Sequence, residues 1–232
     1  MDEKFSDSEV LRAWHVNASP WIKAIDKGEI ESRVLVTNKA IIDAVINNEP
    51  QSALDIGCGE GWLAAKLLEK GVNVFGIDAI PGLIEKAQQV AGGQFSICTY
   101  ENLSRHEFNR PFDCLICNFS LIGEKSTEDV MAVAGKLLNP GGRFLIQTLH
   151  PVVACGELPY RDGWREGSWA GFSKDFRTPA PWYFRTLETW RKLFSNNGLE
   201  VITCHEPLHP KTNIPVSIIF ELGRMQSGRN PS

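Results

Sequence analysis

From about residue 50 onward, apolar positions switch between two periods. Ser52-Ala53-Leu54-Asp55-Ile56-Gly57 is a short apolar run ending in glycine, which reads as a buried strand. Leu63, Ala64, Leu67 and Leu68 then share one helical face, and Lys70-Gly71 gives a stop. Residues 72–77 read as the next strand. Pro81 suits the first position of a helix carrying Leu83, Ile84, Ala87, Val90 and Ala91, closed by Gly92-Gly93. Residues 94–98 and 112–118 read as the third and fourth strands. Ser126 is the expected N-cap of a helix with Val130, Val133, Ala134, Leu137 and Leu138 inward, and Asn139-Pro140-Gly141-Gly142 stops it. Residues 143–149 are a fifth strand. Residues 186–197 are a helix with Leu187, Trp190, Leu193 and Phe194 inward, and residues 199–204 and 214–222 are the last two strands.

Strands alternating with helices predict an α/β fold, with a mostly parallel sheet covered on both faces. Two segments stand outside the alternation. Residues 1–49 contain helical stretches, notably 35–46, and are expected to form an N-terminal cap on a main domain of residues 50–232. Residues 151–185 show no clean period and contain Pro151, Pro159, Pro179 and Pro181. A loop this long inside a single globular unit is usually functional, so it is expected to be an insertion acting as a lid.

Composition narrows the class. The chain has 232 residues, 43% hydrophobic and 22% charged, enough to bury a core without a disulfide or metal staple. There is no apolar run of membrane-spanning length, and Met1-Asp2-Glu3-Lys4 opens no secretory signal. Six cysteines at irregular spacing fit free thiols in a reducing cytosol, so a cytoplasmic protein is expected. The net charge of -4 argues against a nucleic-acid partner. Residues 161–192 are nonetheless +3, with Arg161, Arg165, Lys174, Arg177, Arg185, Arg191 and Lys192 against Asp162, Glu166, Asp175 and Glu188.

The strongest chemical signal is Leu54-Asp55-Ile56-Gly57-Cys58-Gly59-Glu60-Gly61, at a strand end and opening a helix. Glycines there let a ligand approach the backbone, and a helix N-terminus favours polar or anionic groups. Asp78 ends the next strand, where a carboxylate accepts both ribose hydroxyls of a nucleoside. The glycines fall as G-x-G-x-G, with Trp62 where a dinucleotide fold wants its third glycine. Asp55 beside the turn repels a pyrophosphate and suits a ligand with a cationic end.

Asp55-Ile56-Gly57-Cys58-Gly59-Glu60-Gly61, followed by Gly76-Ile77-Asp78, resembles the S-adenosylmethionine-dependent class I methyltransferases, in particular small-molecule enzymes of the ubiquinone-biosynthesis type. The resemblance covers residues 50–150 in its motifs. It implies a Rossmann-like, doubly wound sheet of seven strands with the last one antiparallel, and S-adenosylmethionine as cofactor with S-adenosylhomocysteine as product. It places Asp55, Gly57, Cys58, Gly59 and Gly61 at the methionine part and ribose, Asp78 at the ribose, and Ala79 and Ile80 beside the adenine. Thr99 stands where the family often has an acid, which leaves backbone groups of Thr99 and Tyr100 as candidates for the adenine. Asn118 and Phe119, at the end of the fourth-strand motif, fall beneath the methyl-donor site.

Methyl transfer is a direct displacement, which needs alignment and water exclusion more than a base. His150, after the fifth strand, is a candidate base for a hydroxyl or amine acceptor, or a turn histidine before Pro151. Trp169 and Trp182 in the insertion, with Trp14, Asn17 and Trp21 opposite, are candidates for the walls of the acceptor pocket. The basic excess of the insertion would favour an anionic acceptor. Cys114 and Cys117, three apart on a strand, point to opposite faces and read as core thiols. His205 and His209 read as solvated loop residues, and no metal is expected. The competing functions are a macromolecular methyltransferase, a non-catalytic cofactor-binding subunit, and, on the weakest footing, a nicotinamide dehydrogenase. Neither the acceptor nor the oligomeric state is legible.

Overall fold

The computed structural model describes residues 5–225. Two helices lead in, α1 (Asp7–Asp26) and α2 (Asn38–Ile46), the latter preceded by a π-helical turn at Arg33–Thr37. The alternation then follows the apolar periods. The elements are β1 (Ser52–Ile56), α3 (Trp62–Leu68), β2 (Asn73–Asp78), α4 (Pro81–Ala87), β3 (Gln94–Ile97), β4 (Phe112–Asn118), α5 (Lys125–Leu137) and β5 (Leu138–Thr148). After residues 151–185 come α7 (Leu187–Asn196), β8 (Leu199–His205) and β9 (Ile218–Arg224), numbered past the insertion's own elements: α6 (Pro151–Ala154), β6 (Gly163–Arg165) and β7 (Trp182–Phe184).

Seven strands form one sheet in the order β3-β2-β1-β4-β5-β9-β8, with β9 antiparallel to both neighbours. This is the predicted architecture. β1 is buried along its whole length because helices cover both faces of the sheet. One face packs Leu54, Leu115, Cys117 and Phe144 against α5 and α7, and the other packs Ala53, Cys114, Ile116 and Leu145 against α2 and α3. Cys114 and Cys117 therefore lie on opposite faces of β4, as their spacing predicts. Burial pushes both thiols up, which leaves them inert. Among the described residues, no helix is long and apolar enough to cross a membrane.

Three expectations need correction. Ser126 does not cap α5: the helix opens at Lys125, with Glu124 in the cap position and no side-chain cap from its own loop. The cap comes from α1, where the Asp7 carboxylate accepts from the backbone N–H of Lys125 (3.2 Å) and Ser126 (3.0 Å). A cap supplied from another element leaves no local signature. The fifth strand is longer than residues 143–149, because the Asn139-Pro140-Gly141-Gly142 stop runs on into β5 with an irregularity in its ladder to β4. Finally, residues 151–185 are not structureless. β6 and β7 pair antiparallel, but each has three residues, too few to show a period.

Candidate active site

The order of the sheet reverses beside β1, so the carboxyl ends of β1 and β4 diverge and leave a crevice. The glycine turn after β1 is pinned to β2, since the N–H groups of Gly57 and Cys58 both donate to the Ile77 carbonyl at 2.8 and 2.9 Å. Asp78 then organises the turn. Its Oδ2 accepts from Gly59 N–H at 3.0 Å and its Oδ1 from Ile80 N–H at 2.9 Å. Gly57 and Gly59 have φ of +77° and +57°, a region that side chains rarely enter. Behind Gly57 the wall is closed by Tyr100 and Ser120. Ser120 donates to the Ile56 carbonyl at 2.6 Å, and Tyr100 donates to the Ser120 carbonyl at 3.2 Å. At the end of β4, Phe119 is itself left-handed at φ +54°, a strained conformation of the kind that gathers at functional sites.

Over this turn lies a cavity of about 510 Å³. Asp55, Gly57, Cys58, Gly59, Asp78, Ala79, Ile80, Thr99, Tyr100, Asn118 and Phe119 all line it. Gly61 alone among the expected cofactor residues does not; it is the left-handed N-cap of α3.

The structure adds residues that were not singled out. Glu60 is buried in the turn, its Oε2 accepting from Trp21 Nε1 at 3.0 Å. Arg33 lies 4.9 Å from the ring centre of Trp62 and 5.5 Å from that of Trp21. Ser120 and Glu101 also line the cavity. These contacts join segments far apart in the chain, so no local spacing announces them.

Electrostatically the cavity is acidic. Burial, then Asp78 and Glu60, push Asp55 up to about 8. Burial likewise raises Glu60, against backbone hydrogen bonding and the Arg33 charge. It raises Asp78 against the N–H groups of Ile80, Gly59 and Ala79. Asp55 Oδ2 and Glu60 Oε1 are buried with no hydrogen-bond partner among the described residues. Acceptor atoms left this way are costly unless a ligand supplies donors.

A second cavity of about 440 Å³ adjoins the first. Trp14, Trp21, Arg33, Phe119, Ile122 and Trp169 line both. The predicted Trp182 lines the second, with Phe172, Tyr183 and Phe184 of the insertion. Asn17 lines neither cavity. Fully buried, it donates to the carbonyls of Ala13 (2.8 Å) and Thr178 (3.1 Å) and accepts from Arg177 N–H (2.8 Å), strapping α1 to the insertion. His150 also lines neither cavity; it is buried before α6 with Nε2 3.3 Å from Glu206. His209 lies in the β8–β9 connection, but His205 is not a loop residue: it ends β8, paired with Ile219 of β9, with Nε2 3.8 Å from Glu221.

The basic excess of residues 161–192 does not reach the second cavity as free charge. Arg161, Lys174, Arg177, Arg191 and Lys192 are exposed. Arg165 is buried and donates to the carbonyls of Cys155 and Pro159. Arg185 lines the cavity but donates to those of Gly123 and Glu124.

Residues 33–204 match the family model described as a methyltransferase domain. The chain belongs to the S-adenosylmethionine-dependent methyltransferases. An uncharacterized methyltransferase of Geobacillus kaustophilus is 25% identical over 160 residues, 68% of this chain and 73% of the relative. A ubiquinone biosynthesis O-methyltransferase of Xylella fastidiosa is 32% identical over 107 residues, 44% of this chain and 43% of that one. The Burkholderia thailandensis 1,6-didemethyltoxoflavin-N1-methyltransferase, solved with that compound and S-adenosylhomocysteine, shares the fold at a TM-score of 0.60 and 20% identity, covering 91% of this chain and 88% of its own. In this methyltransferase the matched segment begins at Arg33, contains the glycine turn and the insertion, and ends within β8.

Proposed function

We propose that this methyltransferase methylates a small molecule held in the aromatic cavity, with the cofactor in the acidic cavity beside it. The observation that carries the reading is the shared wall of Trp14, Trp21, Arg33, Phe119, Ile122 and Trp169, across which the two sites meet. The Burkholderia enzyme, whose name gives a small-molecule acceptor, supports it.

The residues fit the cofactor. The partnerless oxygens of Asp55 and Glu60 suit its ammonium group, and the partnerless Nη2 of Arg33 suits its carboxylate. Each Asp78 oxygen holds one backbone N–H and keeps a lone pair for a ribose hydroxyl. Ala79 and Ile80 flank the adenine, with backbone groups of Thr99 and Tyr100 at its edge. When bound, S-adenosylmethionine would supply an electrophilic methyl group for direct displacement by the acceptor. The chain contributes alignment and exclusion of water. α1 and α2 act as a cap and residues 151–185 as the lid over the acceptor. His150, outside both cavities, has no part in this scheme.

The test is transfer from methyl-labelled cofactor into a metabolite library. Label in low-mass products, lost in Asp78→Asn, is expected. Label entering only protein or nucleic acid would overturn the reading.

A further inference from the structure

We infer that the acceptor is an uncharged, planar aromatic molecule, stacked within the insertion's rings with a hydrogen-bond-accepting edge toward Trp14 and Trp169. The inference rests on the proposed function and names the substrate class of that same site.

Charge is the first ground. A buried anion needs a cation or several donors. Arg185, the insertion's one cation lining the cavity, already donates to two carbonyls, at 3.0 and 2.8 Å, and lies over the rings of Tyr183 and Trp190. Arg33, on the shared wall, has a buried Nη2 without a partner among the described residues, and the proposed function gives it to the cofactor's own carboxylate. With Arg33 given to the cofactor, no cation lining the aromatic cavity is left for an acceptor carboxylate. A cationic acceptor is matched no better, since the one acid among the described lining residues, Glu166, is exposed.

The second ground is the polarity of the partnerless atoms. In the acidic cavity the carboxylate oxygens of Asp55 and Glu60 want donors. On the shared wall the indole N–H groups of Trp14 and Trp169 are buried and have no partner among the described residues. An indole N–H only donates, so these rings call for an oxygen or ring nitrogen on the ligand. Trp14 meets Trp169 edge-on, with centroids 6.0 Å apart and planes at 89°, so the wall offers a π face and N–H edges together. A flat ring system with a neutral acceptor atom answers both.

The test uses four probes of nearly one shape: 2-naphthol, 2-naphthoate, 2-naphthylmethylammonium and trans-decahydro-2-naphthol. Each is titrated calorimetrically into the full chain saturated with S-adenosylhomocysteine. 2-Naphthol should bind at least tenfold tighter than each of the others. Trp169→Phe, which keeps a ring and deletes the N–H, should weaken 2-naphthol at least threefold. Tighter binding of either charged probe, equal binding of the non-planar one, or no binding of any would overturn the inference. A labelled low-mass product that proves to be an acid would do so too, while leaving the proposed function standing. Label found only in macromolecules would fell the proposed function instead, and the probe ranking would still decide whether this cavity takes flat neutral rings.

Discussion

Gly57 and Gly59, two positions apart in one turn, tolerate a methyl group very differently. A Cβ on Gly57 would run into the Tyr100 hydroxyl and Ser120, and its φ is +77°. A Cβ on Gly59 would meet nothing within 4 Å, at φ +57°. Gly57→Ala should therefore cost about 2–4 kcal/mol of stability, from strain plus collision. Gly59→Ala should cost about 1–2 kcal/mol for the left-handed backbone alone. Because Gly59 lines the acidic cavity, its variant should fold and still bind S-adenosylhomocysteine more weakly. Melting curves beside calorimetry separate the two, and equal stability losses would contradict the geometry. The glycine spacing and Asp78 were legible because a turn and its strand-end acid act through local backbone. Glu60 stood in plain view within the motif, but its role depends on Trp21 of α1 and on Arg33, which only the fold brings near.

Among the elements, α1 joins the most parts of the site. Asp7 caps α5, Asn17 straps the insertion, and Trp21 reaches Glu60 in the glycine turn. Asn17→Ala removes the two bonds that tie residues 177 and 178 to α1. The loss should be about 1–3 kcal/mol of stability. The acceptor KM should rise several-fold, with affinity for S-adenosylhomocysteine within about twofold, because the glycine turn and Asp78 are untouched. Equal loss of both affinities would mean that the strap supports the whole site rather than the insertion alone. Trp14, Asn17 and Trp21 were candidates for the pocket wall opposite the insertion. That Asn17 turns to the insertion and not to the cavity was not legible, since its partners are backbone groups some 160 positions away. The insertion's hairpin escaped notice for a similar reason: three-residue strands carry no period, and the ladder joins distant residues.

At the scale of the whole molecule, the alternation of periods was enough to predict a parallel sheet covered on both faces. The strand order, with its reversal beside β1, is not written in any local period; the pattern marked seven strands, and the resemblance joined them in one sheet with an antiparallel end. That reversal places an acidic cavity beside an aromatic one. The acidity has a measurable consequence. Asp55 is pushed up to about 8, so in the ligand-free protein its buried proton favours the fold at low pH. Stability is then lost as pH rises from about 4 toward 8, by at most about 1.4 kcal/mol per pH unit for one such group. Glu60 and Asp78, also raised, act in the same direction. A cationic ligand favours ionised Asp55 and works against that loss.

Calorimetric titration of S-adenosylhomocysteine at pH 6, 7 and 8, in buffers of different ionisation enthalpy, tests this most directly. The account predicts binding at every pH and proton release on binding. Affinity should tighten toward pH 8 by up to about tenfold per unit, and Asp55→Asn should flatten the trend. No binding, or affinity that is level or falls as pH rises in the wild type, would contradict it.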